Sequence, residues 1–141
     1  MIVLDTSVVS EPLKPKPELA VLRWLDAQEP QTLYITAVVW IELLAGVAAL
    51  PQGRRRTALT KALKEQVLAL FGSRVLPFDL PAAEALAKNH ATAQAQDNPI
   101  GFADCAIASV ASAQGCALAT RNTRDFKGGD VVLIDSWGCG T

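Results

Sequence analysis

Ile2-Val3-Leu4-Asp5-Thr6-Ser7 opens the chain with three apolar residues, one acid and two hydroxyls. An apolar triplet that stops on helix-capping side chains predicts a buried strand over 2–4, then a short helix ending near Pro12. The same grammar recurs. Leu33-Tyr34-Ile35 reads as a second strand, and Thr36 as the cap of a helix over about 37–50 that stops before Pro51. Val75-Leu76, Ala117-Leu118-Ala119 and Val131-Val132-Leu133-Ile134 read as three further short strands. Between them the apolar residues take helical spacing: Leu19, Leu22 and Leu25 over 18–28, then Leu59, Leu63, Val67, Leu70 and Phe71 over 54–71. Two more helices are expected over 81–96 and 101–113, closed by Asn98-Pro99 and Gly115. Strands alternating with helices predict an α/β protein: a three-layer α/β/α sandwich on a small, mainly parallel sheet, as one domain over residues 1–141.

Three acids stand in apolar frames. Asp5 ends Ile2-Val3-Leu4, Glu42 interrupts Ala37-Val38-Val39-Trp40-Ile41 and Leu43-Leu44-Ala45, and Asp104 lies between Phe102-Ala103 and Cys105-Ala106-Ile107. A carboxylate buried without a partner costs several kcal/mol. Three of them, remote in sequence, point to one shared cleft, and the simplest common partner is a hard divalent cation such as Mg²⁺ or Mn²⁺. Open parallel sheets bind ligands beyond the carboxyl ends of their strands, and Asp5 follows a strand directly. Each acid also has a structural reading. Asp5 fits a helix cap and Asp104 the favoured charge of a first turn. Glu42 is harder to explain as a solvated residue, because its helix is apolar almost all round.

Thr120-Arg121-Asn122-Thr123-Arg124-Asp125-Phe126 is a polar cluster directly after a buried-looking strand. It reads either as an ordinary turn or as a second contribution to the same edge. Arg54, Arg55, Arg56, Lys61 and Lys64 form a basic stripe that is either a solvated helix face or a grip on a phosphate backbone. His90 reads as a plain helix residue, and Trp24, Trp40 and Trp137 as packing residues.

Composition closes other routes. The chain has 141 residues, half of them apolar, and a net charge of −1, so bulk attraction to nucleic acid is weak. Three cysteines (Cys105, Cys116, Cys139) without a C-x-x-C pair oppose a disulfide framework or zinc knuckle. No apolar run has the ~20 residues of a membrane helix. The N-terminus lacks a signal's basic region and long apolar stretch, so a cytoplasmic location is expected. There is no G-x-x-x-x-G-K-[ST] loop, no G-x-G-x-x-G after the first strand and no G-x-S-x-G elbow. The second acid that haloacid-dehalogenase phosphatases carry two residues after the first is also missing.

Taken in order, Ile2 to Glu11, Glu42 in its helix, Ala103-Asp104 and Ala119 to Phe126 resemble the PIN-domain proteins across essentially the whole chain. The resemblance is greatest to the VapC toxins and their FitB-like branch. It implies a Mg²⁺-dependent endoribonuclease, with Mn²⁺ as an alternative ion, acting as the toxin of a type II toxin–antitoxin pair. It carries Asp5, Glu42 and Asp104 over as the acidic metal site. The fourth acidic position falls on Asn122, with Asp125 three residues later, and both stand as candidates. Thr6 and Arg121 are candidate substrate contacts. The implied partners are RNA, a small antitoxin that brings DNA with it, and a second copy of the chain, with helices 18–28 and 37–50 as candidate surfaces. A non-catalytic module acting through a protein–DNA complex and a DNA-directed nuclease remain as alternatives.

Overall fold

The computed structural model describes residues 1–95, 101–126 and 131–137, without the side chains of residues 93, 124 and 125. Five short strands form one all-parallel sheet: β1 (Ile2–Leu4), β2 (Leu33–Thr36), β3 (Val75–Leu76), β4 (Ala117–Ala119) and β5 (Leu133–Ile134). Their order is β3-β2-β1-β4-β5. The chain builds outward from β1 in one direction through β2 and β3, then returns to the other side through β4 and β5. The gap between β1 and β4 is therefore a topological switch point, where parallel sheets open a crevice. Register pairs Leu4 with Ala119, so the residues just beyond them, Asp5 and Thr120, emerge side by side.

Helices cover both faces: α1 (Thr6–Ser10), α2 (Leu19–Asp26), α3 (Ala37–Ala48), α4 (Arg54–Ala62), α5 (Ala69–Phe71), α6 (Leu80–Ala95) and α7 (Phe102–Ala113). Val3, Ile35 and Leu118 from the strands are fully buried. They share one core with Val8, Val39, Leu63, Val67 and Phe71 and with Ile107 and Ala111 of α7. Strands buried on both faces explain why their sequences read as continuous apolar runs rather than alternating ones. Thr36 caps α3 as expected, its Oγ1 accepting the Val39 N–H at 3.0 Å.

Three details depart from the sequence reading. The helix expected over 54–71 is α-helical only to Ala62. It widens into a π segment at Leu63–Leu68 before α5. Its buried residues, Leu63, Val67 and Phe71, are four apart, and a widened turn keeps such a row nearer one face than a pure α-helix does. Leu70, placed on that face by helical spacing, is 57% exposed. The last strand spans only Leu133 and Ile134, paired with Leu118 and Ala119; Val132 lies just outside it with its side chain in solvent, although its carbonyl accepts the Leu118 N–H. Finally, the apolar composition of α3 does not bury it all round: Ile41 is 62% exposed and Leu44 also faces solvent. Among the described residues, no helix is long and apolar enough to cross a membrane.

Candidate active site

Asp5 is the first residue beyond β1 and occupies the N-cap position of α1, yet its side chain does not cap that helix. Its Oδ2 instead accepts two hydroxyl protons, from Ser7 Oγ at 3.0 Å and from Thr120 Oγ1 at 2.8 Å. The residue is 4% exposed. Two such bonds to a carboxylate offset much of the hydration it gives up. Its backbone N–H donates to the Ala119 carbonyl at 2.9 Å, fastening the turn to β4. The capping explanation of Asp5 therefore fails on geometry: the carboxylate accepts no backbone N–H of α1 and instead bonds the side-chain hydroxyls of Ser7 and, across the sheet edge, Thr120.

Glu42 projects from the second turn of α3 and is half-buried. Thr6 Oγ1 donates to its Oε1 at 2.6 Å, which ties α3 to the start of α1. Asp104 lies in the first turn of α7, also half-buried. Each of these three residues offers one carboxylate oxygen, and the three oxygens lie within 4.8 Å of one another. Ligand oxygens held about 2.0–2.6 Å from one hard cation are themselves up to about 4–5 Å apart, so the spacing suits a shared divalent ion. The donor set is all oxygen and negatively charged, the chemistry that Mg²⁺ and Mn²⁺ select.

The other candidates take distinct places. Thr6 is engaged with Glu42 and orients that carboxylate. The Arg121 backbone N–H donates to Ser7 Oγ at 3.3 Å, so its main chain is two hydrogen bonds from Asp5. Its exposed guanidinium lies over the Trp137 ring, 5.5 Å from the centroid. Asn122 donates its backbone N–H to Thr120 Oγ1 at 3.2 Å while its residue surface is exposed. Asp125 belongs to a 3₁₀ turn at Thr123–Phe126, but its side chain lies outside the described residues, as does the whole of Cys139. Burial pushes the Cys105 and Cys116 thiols above their ordinary range, which suits core residues rather than nucleophiles. His90 is exposed on α6, and all three tryptophans pack against the core. In the basic stripe, Arg54, Arg55, Lys61 and Lys64 are exposed.

Ser7 and Thr120 are the residues that sequence reasoning missed. Both are short hydroxyls that hold Asp5 in place. The available signal for Thr120 was positional: it follows its strand as Asp5 follows its own. That parallel gains meaning only once β1 and β4 are known to be neighbours in the Leu4–Ala119 register.

Residues 2–130 match the PIN domain family. The chain is 45% identical over 137 residues to VapC ribonuclease Y4jK of Sinorhizobium fredii, covering 97% of this chain and 98% of the relative. It is 39% identical to toxin FitB of Neisseria gonorrhoeae, covering 97% and 99% respectively. The solved structure of FitAB bound to an IR36 DNA fragment superposes with a TM-score of 0.94 at 36% identity, covering 100% of this chain and 99% of the other. With the switch-point crevice, the triad of acids and these full-length matches in agreement, the chain belongs to the PIN domain family.

Proposed function

We propose that this chain is a divalent-metal-dependent endoribonuclease, the toxin of a type II toxin–antitoxin pair, built as one nuclease domain over residues 1–141. The observation that carries the reading is the convergence of Asp5, Glu42 and Asp104 within 4.8 Å. Asp5 and Asp104 would hold Mg²⁺ as direct ligands, with Mn²⁺ able to substitute. Both hydroxyl bonds to Asp5 fall on Oδ2 and hold the carboxylate in place. A bound ion supplies an acidified water and a counter-charge for the scissile phosphate. Glu42, steered by Thr6, either completes the ligand set or accepts the proton of the attacking water. Arg121 contacts a flanking phosphate. Asn122 or Asp125 completes the polar rim.

The FitAB–DNA complex supports a small antitoxin as partner, with DNA engaged through that partner. The exposed Ile41 and Leu44 of α3 and Leu19 of α2 support a second copy of the chain as another. Sedimentation at micromolar concentration checks that point, and a strictly monomeric chain rejects it.

The deciding experiment incubates purified protein with structured RNA, and in parallel with DNA, in Mg²⁺, Mn²⁺ or EDTA. Cleavage of RNA that requires the ion and is nearly abolished in Asp104→Asn is the expected result. Metal-independent cleavage, or full activity in that variant, overturns the site. A folded protein that cleaves nothing favours a non-catalytic module acting through a protein–DNA complex.

A further inference from the structure

Trp137 has no part in the scheme above. It follows β5, and its backbone N–H is held at 3.0 Å by the Asp135 carboxylate in a tight turn. Its ring packs partly against the core, with the Arg121 guanidinium 5.5 Å from the centroid. An arginine side chain on the surface ordinarily samples many rotamers, and holding it still costs side-chain entropy. A ring face under the cation removes part of that freedom in advance. The backbone of Arg121 is independently fixed to the acidic cleft through Ser7 Oγ, which itself donates to Asp5. Arg121 is therefore held at two points: its main chain through Ser7 to the cleft, and its guanidinium over the ring. The buried Glu11 carboxylate lies within the electrostatic reach of Arg121. It adds a weak attraction on that side, while its own salt bridge is to Lys14.

We propose that Trp137 is a positioning residue for RNA binding: it holds the Arg121 guanidinium beside the metal cleft, ready to receive a backbone phosphate flanking the scissile bond. A guanidinium held over a ring face keeps N–H donors to offer a phosphate. A pre-placed cation strengthens substrate binding while leaving the chemical step to the carboxylates. The inference rests on the nuclease reading, and its test separates the two.

The test is a double-mutant cycle of Arg121→Met and Trp137→Leu on the full chain, with steady-state RNA cleavage in Mg²⁺ and RNA binding measured over a range of salt. Trp137→Leu is expected to raise KM about two- to five-fold, the worth of one cation–π contact at an exposed site, with kcat nearly unchanged. Trp137→Phe, which keeps a ring face, is expected to recover most of that loss. Arg121→Met should lower the salt slope for single-stranded RNA by about 0.7, one phosphate's share. With Arg121 already replaced, Trp137→Leu should have no further effect. Additive effects, or a fall in kcat with KM unchanged, overturn the positioning role. Wild-type protein that cleaves no RNA overturns the nuclease reading instead. A readout that needs no folded variant is the Arg121 side-chain NMR signal of the wild-type protein. It should be shifted upfield by the ring, and a random-coil position overturns the stacking itself.

Discussion

Replacing Glu42 by Gln removes one charge and keeps the shape. Its Oε1 still accepts the Thr6 hydroxyl, now bonded at 2.6 Å, so the tie between α1 and α3 survives. What changes is electrostatics. Two charges 4.8 Å apart, the upper bound of the cluster, repel by about 0.9 kcal/mol in water and about 3.5 kcal/mol at an effective dielectric of 20. Because Glu42 and Asp104 are half-exposed, the low end applies, about 1 kcal/mol for each of the two pairs that Glu42 makes. Metal-free Glu42→Gln should therefore be as stable as the parent or up to about 2 kcal/mol more stable. With metal the sign reverses. An ion at 100 times its Kd stabilises the parent by about 2.7 kcal/mol. If losing a ligand costs at least the 10–100-fold that loss of an outer partner costs, the variant at the same concentration gains only about 0.4–1.4 kcal/mol. At about 4 °C per kcal/mol for a chain of this size, its metal-induced rise in Tm should fall short of the parent's by roughly 5–9 °C. Thermal melts in EDTA and in Mn²⁺ read both quantities. A metal-free variant that melts well below the parent, or one that keeps the full metal-induced rise, refutes the assignment of Glu42 to a shared ion site.

Further outcomes follow from the surrounding bonds. Thr120→Val keeps volume and removes the donor to Asp5 Oδ2, leaving a buried charged acceptor one partner short. Denaturant melts should show a loss of about 1–3 kcal/mol, and nuclease activity should fall with it; a variant of parental stability contradicts the role given to Thr120. Glu11 is buried, and the ion pair with Lys14 at 2.8 Å, helped by the Glu18 N–H, holds its carboxyl below its ordinary value of 4.5 against the opposing effect of burial. A carboxyl depressed in the folded state stabilises the fold above its unfolded pKa. That contribution fades as pH drops through 4.5 and is gone below the folded value. Lys14→Met should thus cost stability at pH 7 and progressively less below pH 4.5, and melts whose difference is constant from pH 7 to pH 3 refute the pairing.

The alternation of strands and helices was legible because each strand is an apolar triplet or quartet ended by a capping residue, as at Leu4-Asp5 and Ile35-Thr36. The three acids were legible for a related reason: a charge inside an apolar frame needs a partner, and three such charges can share one. The π segment at Leu63–Leu68 was not legible, since its apolar spacing fits an α-helix as well until packing selects Leu63, Val67 and Phe71 and leaves Leu70 outside. Nor was the outward face of α3, because composition records how apolar a helix is and not how much of it neighbouring elements cover.

The sequence by itself therefore determined which residues carry charge in apolar surroundings and which segments become strands and helices, because both depend on local spacing and on the cost of dehydration. Only the tertiary structure decided that β1 lies against β4. That pairing sets the Asp5 carboxylate against Thr120, while the β1–β2 pairing and the Thr6–Glu42 bond bring α3 to the same edge and the β4–β5 pairing sets Arg121 over Trp137. The β1–β4 pairing joins residues more than a hundred positions apart, such as Ile2 and Ala117, and no local pattern encodes it.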